Sequence, residues 1–139
     1  MTLPEEEARA RLAAARVARL ATADADGRPH VVPVTFDFDG EGSLVIAVDH
    51  KPKRTLDLRR LRNVRANPRV SVLADHYEDD WTRLWWVRAD GTAAVIEADA
   101  GRAGPLSRLR AKYPQYRDAV PAGPVISVTI TAVSGWSYA

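Results

Sequence analysis

The stretch Pro29-His30-Val31-Val32-Pro33-Val34-Thr35-Phe36-Asp37-Phe38-Asp39 alternates with a period of two. Val32, Val34, Phe36 and Phe38 fall on one face, and Val31, Pro33, Thr35 and Asp37 on the other. That is the pattern of a strand with one buried side. Pro33 adds a constraint: it has no N–H to give a ladder, so the strand lies at a sheet edge or a bulge. An unpaired edge there offers backbone groups to a ligand. Asp24-Ala25-Asp26-Gly27 closes a preceding strand over residues 17–22, and Asp39-Gly40-Glu41-Gly42 opens a following one over residues 44–48. Three strands joined by short acid-glycine turns read as an antiparallel meander.

On the N-terminal side, Pro4 followed by Glu5, Glu6 and Glu7 predicts a helix over residues 4–15, with acids at the positive end of its dipole and Arg9, Arg11 and Arg16 following. On the C-terminal side, Leu58, Leu61 and Val64 recur at helical spacing, so residues 54–64 read as a short helix ended by Asn67-Pro68. Strands follow over residues 70–74 and 84–97, the latter with a hairpin or a bulge at Asp90-Gly91. Helices over 102–112 and 114–118 precede a charge-free strand over 125–133. About six strands with a few short helices make this a mainly β chain, a single domain over residues 1–139 folded as an antiparallel barrel decorated by helices.

The chain has 139 residues, 46% of them apolar, and no cysteine. That length suits one domain that needs no staples. The missing cysteine excludes disulfides, thiolate metal sites and a cysteine nucleophile. GxGxxG and P-loop motifs are absent, as is a nucleophile-elbow glycine pattern. An acidic N-terminus without an apolar run, and no uncharged segment near the ~20 residues of a membrane span, give the expectation of a cytoplasmic protein.

The net charge of +2 conceals a segregation. Residues 51–69 hold eight basic residues and one acid, a local charge of +7, while the other 12 basic and 17 acidic residues sum to −5. Three readings of the basic segment are open: a solvated helix face, a nucleic-acid contact, or a site for a small phosphorylated ligand. The third rests on Lys51-Pro52-Lys53-Arg54-Thr55, between a strand end and a helix start, where cations, a hydroxyl and free helix N–H groups would converge on one phosphate. The histidines His30, His50 and His76 show no metal-ligand spacing and read as independent loop or surface residues. Trp85 and Trp86 point to opposite faces of their strand, so one of them leaves the domain's own core and serves a subunit contact or a wall against a planar ring.

Taken in order, several segments resemble the pyridoxamine 5′-phosphate oxidase-like split β-barrel proteins, from about Ala18 to Trp136. They are Arg19-Leu20-Ala21-Thr22, the Asp26-to-Phe36 stretch, Lys51-Pro52-Lys53 before a helix, Asn67-Pro68-Arg69-Val70-Ser71 after it, Trp85 to Ala93, and Gly135-Trp136. Within that family the chain is similar to the branch using the deazaflavin coenzyme F420 rather than FMN. The resemblance implies a homodimer with cofactor sites between subunits. It places the ring's polar rim along His30, Val31, Val32, Pro33 and Val34, with Val48 at the end of the next strand. It gives the cofactor phosphate to Lys51, Pro52, Lys53, Arg54 and Thr55, and a wall of the site to Trp85. F420 carries a phosphate and a carboxylate-rich tail, so Arg59, Arg60 and Arg62 would follow that longer anion. The implied activity is hydride transfer between the deazaflavin and a small unsaturated substrate, with FMN-dependent chemistry or a non-catalytic carrier as alternatives. No catalytic side chain is singled out; His30, Tyr77 and Tyr138 are the candidates for a proton donor.

Overall fold

A computed structural model describes residues 1–48 and 58–139. The elements run α1 (Glu5–Ala14), β1 (Ala18–Ala23), β2 (Pro29–Val34), β3 (Phe36–Phe38), β4 (Ser43–Ala47), α2 (Arg59–Ala66), β5 (Arg69–His76), β6 (Trp85–Ile96), α3 (Asp99–Lys112), α4 (Gln115–Asp118) and β7 (Val125–Ser137). The strands form one antiparallel sheet in the order β2-β1-β5-β6-β7-β4-β3.

That order corrects the expected meander. The single strand predicted over residues 29–39 is two, because Thr35 interrupts it and sends β2 and β3 to opposite edges of the sheet. In a flat seven-stranded sheet those edges would stand about 29 Å apart. One intervening residue lets Val34 and Phe36 separate by only about 7 Å. The sheet must therefore curl until its edges meet at Thr35, which makes a barrel split between β2 and β3. The β1–β2 and β3–β4 hairpins are as expected, turning on Gly27 and Gly40, both at φ +84°.

Closure depends on bending β6 and β7, which pair along nearly their whole length with a register shift between Asp90 and Gly91. The predicted break at Asp90-Gly91 is thus a bulge within one long strand. A Cβ on Gly91 would meet the Thr129 carbonyl oxygen at 2.2 Å, so only glycine lets the two backbones approach there.

Inside the barrel, Leu20, Phe36, Leu44, Ile46, Val72, Val87 and Ile126 form the core, and α1 plugs one end with Ala8 and Leu12. A second cluster lies outside the sheet, where Val45, Ala47 and Val125 meet Leu109 of α3 and Tyr113 just after it. Hence β4 is buried on both faces. Arg108 clamps α3 to the β3–β4 hairpin, donating from Nε to Asp37 Oδ2 at 2.9 Å and from Nη1 to Ser43 Oγ at 2.9 Å. The crossover itself is pinned by two tyrosines. Tyr113 Oη accepts from Phe36 N at 3.1 Å, and Thr35 Oγ1 and Tyr116 Oη share a hydrogen bond of 2.6 Å. Among the described residues no helix is long and apolar enough to cross a membrane.

Candidate functional site

β2 is an edge strand, as Pro33 requires. Its exposed backbone can be read from the register. Asp24 N donates to Arg28 O at 3.1 Å, so Asp24 and Arg28 form a hydrogen-bonded pair at the hairpin end. Paired residues alternate between bonded and non-bonded along an antiparallel ladder. The pairs Ala23–Pro29, Ala21–Val31 and Arg19–Pro33 are therefore the non-bonded ones, with their amide groups turned away from β1. Two of the outward positions are prolines. The open edge thus presents one N–H, that of Val31, and the carbonyls of Pro29, Val31 and Pro33. Such an edge resists strand addition yet offers a donor and acceptors to a polar ring rim.

Between the ends of β2 and β4 a groove of about 330 Å³ opens, lined by Val17, Pro33, Val34, Thr35, Ala47, Arg60 and Tyr116. Arg60 arrives on α2, whose buried side carries Leu61, Asn63 and Val64. Asn63 Nδ2 donates to Thr22 Oγ1 of β1 at 3.0 Å in a buried contact that fixes the helix beside His30, the residue opposite Thr22. The first turn of α2 contains no acid and has no side-chain cap among the described residues, so it adds amide dipoles to the arginine charge.

His30 sits in this cationic field. Its pKa lies below the ordinary imidazole value, first because of burial and then because of Arg59 and Arg60. It is neutral at neutral pH, and its Nδ1 is buried without a hydrogen-bond partner among the described residues. On the outer turn, Asp24 is also held below the usual carboxylate range, chiefly by the backbone N–H of Arg28. A buried ring nitrogen without a partner, an edge with one free N–H, and guanidinium groups beside both suit an anionic, polar-rimmed planar group.

The predicted site residues are only partly brought together. Pro33 and Val34 line the groove, and His30 lies along the same strand toward α2. Val31 projects outward, 61% exposed, while Val32 packs toward the core. Val48 is wholly buried in the barrel, and Ala47 takes its place as the groove residue at that strand end. Trp85 faces a different hollow, with the Arg11 guanidinium 5.4 Å from its ring centroid. Trp86 does project from the opposite face, beneath Arg88. Lys51, Pro52, Lys53, Arg54 and Thr55 lie outside the described residues. Thr35 and Tyr116 were not foreseen: their contact joins positions 81 residues apart, which no local pattern reports.

A family model described as pyridoxamine 5′-phosphate oxidase matches residues 4–137. Over 57 residues the chain is 40% identical to the 5a,11a-dehydrotetracycline/5a,11a-dehydrooxytetracycline reductase of Streptomyces rimosus, a match covering 41% of this chain and 38% of that relative's length. A crystal structure of a FAD-binding protein from Mesorhizobium loti superposes with a TM-score of 0.73 at 27% identity, over 97% of this chain and 95% of that one. A conserved hypothetical protein from Mycobacterium tuberculosis gives 0.76 at 19% identity, over 98% and 86%, a likeness of fold.

Proposed function

The chain belongs to the pyridoxamine 5′-phosphate oxidase family, and on that premise we propose that it is an F420-dependent oxidoreductase that reduces a small unsaturated organic compound. The observation that carries this reading is the juxtaposition of the open β2 edge with the basic helix α2 across one groove. The edge supplies hydrogen-bond groups for a ring rim, and α2 supplies cations for an anion attached to that ring. Bound F420 would supply the hydride; the protein holds the ring, places the substrate and excludes water.

Each part has a task. The Val31 N–H and the neighbouring carbonyls orient the ring along β2. His30, kept neutral, can donate or accept at Nδ1 without adding charge. Arg59, Arg60 and Arg62 follow the basic Lys51-to-Thr55 stretch in the sequence, and this run of positive charge favours a long anion over a single phosphate. The relative in Streptomyces rimosus is a reductase of a dehydro compound, which supports reduction of an unsaturated bond. The outer face of β1, β5 and β6 bears Ala21, Leu73 and Trp86, with Val31 and Tyr77 exposed beside it. A second copy of the chain is the proposed cover for that face, giving a homodimer with sites between subunits.

One alternative has an observation behind it, and a second shares its contacts. The Mesorhizobium loti neighbour binds FAD, which favours FMN or a related flavin in the same groove, and a carrier without turnover would use the same contacts. Anaerobic mixing of the protein with reduced F420 and a panel of quinones, enones and nitro compounds separates them. Protein-dependent oxidation of F420 supports the enzyme. Tight binding without oxidation by any acceptor identifies a carrier. Reversing Arg59 and Arg62 to glutamate should weaken F420 more as its tail lengthens; affinity independent of tail length and unchanged by the reversal would remove the tail assignment.

A further inference from the structure

Outside the basic segment the sequence is net acidic, yet the fold gathers a second cationic site there. A hollow of about 680 Å³ is lined by Arg11, Arg16, Arg19, Arg83, Trp85 and Val17. Its four guanidinium groups come from four separate places: α1, the residues between α1 and β1, β1 itself, and the turn before β6. Among the described residues Asp75 is the only carboxylate in the lining. Arg11 is paired with Glu7 at 3.1 Å, and Arg83 with Glu78 at 3.4 Å, an acid that also meets His76. Arg16 donates to the carbonyl of Lys112 at 2.9 Å and lies over the Tyr113 ring at 4.8 Å. Neither Arg16 nor Arg19 has an acidic partner among the described residues. Two guanidiniums without an acidic partner among the described residues therefore border a space whose walls also include Asp75, His76, a half-buried indole, Ala14, Ala15 and a valine that is 48% exposed.

Solvated surface arginines do not need a tryptophan wall between them. An indole presents a flat apolar face, whereas guanidinium forks match carboxylate or phosphate oxygens two at a time. The volume lies in the range of small-molecule sites. The hollow also adjoins the cofactor groove. Val17 lines both, and Arg19 stands directly across the strand pair from Pro33.

We infer that this hollow holds the acidic end of the electron acceptor, a planar apolar compound bearing a carboxylate or a phosphate, with its reducible part reaching past Val17 into the groove. The inference rests on the redox reading above for the word acceptor, but the anion site itself does not.

Calorimetric titration of the cofactor-free protein with 2-naphthoate, 2-naphthyl phosphate and neutral 2-naphthamide tests it. Both anions should bind, with the amide at least tenfold weaker. Arg19→Gln should weaken the anions by about tenfold or more, as expected for a lost charge-assisted hydrogen bond, and leave the thermal midpoint and F420 affinity unchanged. The tighter of the two anions assigns the acid group of the acceptor. Equal binding of the amide, no binding of either anion, or indifference to Arg19→Gln would overturn the site. Displacement of 2-naphthoate by saturating F420 would overturn the acceptor assignment and give the hollow to the cofactor. Should F420 fail to bind at all, the redox reading falls while the first three arms still decide the anion site.

Discussion

Asn63 and Thr22 offer a sharp test of how the basic helix is held. Both side chains are nearly inaccessible, 3% and 4% exposed, and they form a 3.0 Å hydrogen bond between α2 and β1. Removing one partner leaves the other's polar atom buried without a replacement, which costs about 1–3 kcal/mol; replacing both with apolar groups of similar shape can be nearly neutral. Asn63→Leu and Thr22→Val, each alone, should therefore lose about 2 kcal/mol. For a chain of this size that is roughly 6 °C in melting temperature. The double variant should lose about 1 kcal/mol, so the coupling between the two sites is about 3 kcal/mol, at the upper end of contacting pairs. Equilibrium urea unfolding of the four proteins, with unchanged m values, gives the cycle directly. Because Thr22 lies opposite His30 and the helix carries Arg59 and Arg60, the single variants should also weaken anion binding in the groove. If the two single losses simply add in the double variant, the bond does not fix α2 and the reasoning fails.

Other outcomes follow from the same structure. Gly91→Ala places a methyl group 2.2 Å from a backbone oxygen and should cost roughly 3 kcal/mol or more, seen as a fall of roughly 9 °C in melting temperature; a parental melting curve would show that β6 and β7 can separate at the bulge. Arg60→Gln should weaken the anionic cofactor at least about tenfold, since a hydrogen bond to a charged group contributes about 1.5–3 kcal/mol; fluorescence titration reads this, and unchanged affinity would take Arg60 out of the site. Lys112 donates to Ala15 O at 2.7 Å and sits 4.0 Å from the Phe36 ring centroid, and burial pulls its pKa down to about 8 against the opposing pull of Asp37. Between that value and the ordinary lysine value the unfolded chain retains a proton that the folded chain has released, so stability rises with pH across this window. Lys112→Met should flatten the rise, measured as the difference in unfolding free energy from the parent at about pH 7, 9 and 10; an unchanged slope would show that Lys112 is not its source.

Much of the fold was legible because it is written in local patterns. The alternation of Val32, Val34, Phe36 and Phe38 and the acid-glycine turns appear as read, and of the two alternatives open at each place the structure has the edge at Pro33 and the bulge at Asp90-Gly91. The change of sheet edge at Thr35 was not legible, and the reason is physical. Val34 and Phe36 both face the core, so the period of two passes through Thr35 without a change of phase. Nothing in that period reports that the partner strand has changed. The site shows the same division. Charge density along the sequence pointed to α2 and thus to Arg60, which does reach the groove. Tyr116, brought by α4, and the guanidiniums around Trp85 come from distant segments, and only the curled sheet collects them.

On the reading proposed above, the groove between β2 and α2 takes a long anionic deazaflavin. Separate fluorescence titrations of the purified protein with F420 and with FMN test it most directly. Saturable F420 binding in the micromolar range is expected, with no FMN binding at the same concentrations. Saturable FMN binding with none for F420 would contradict it.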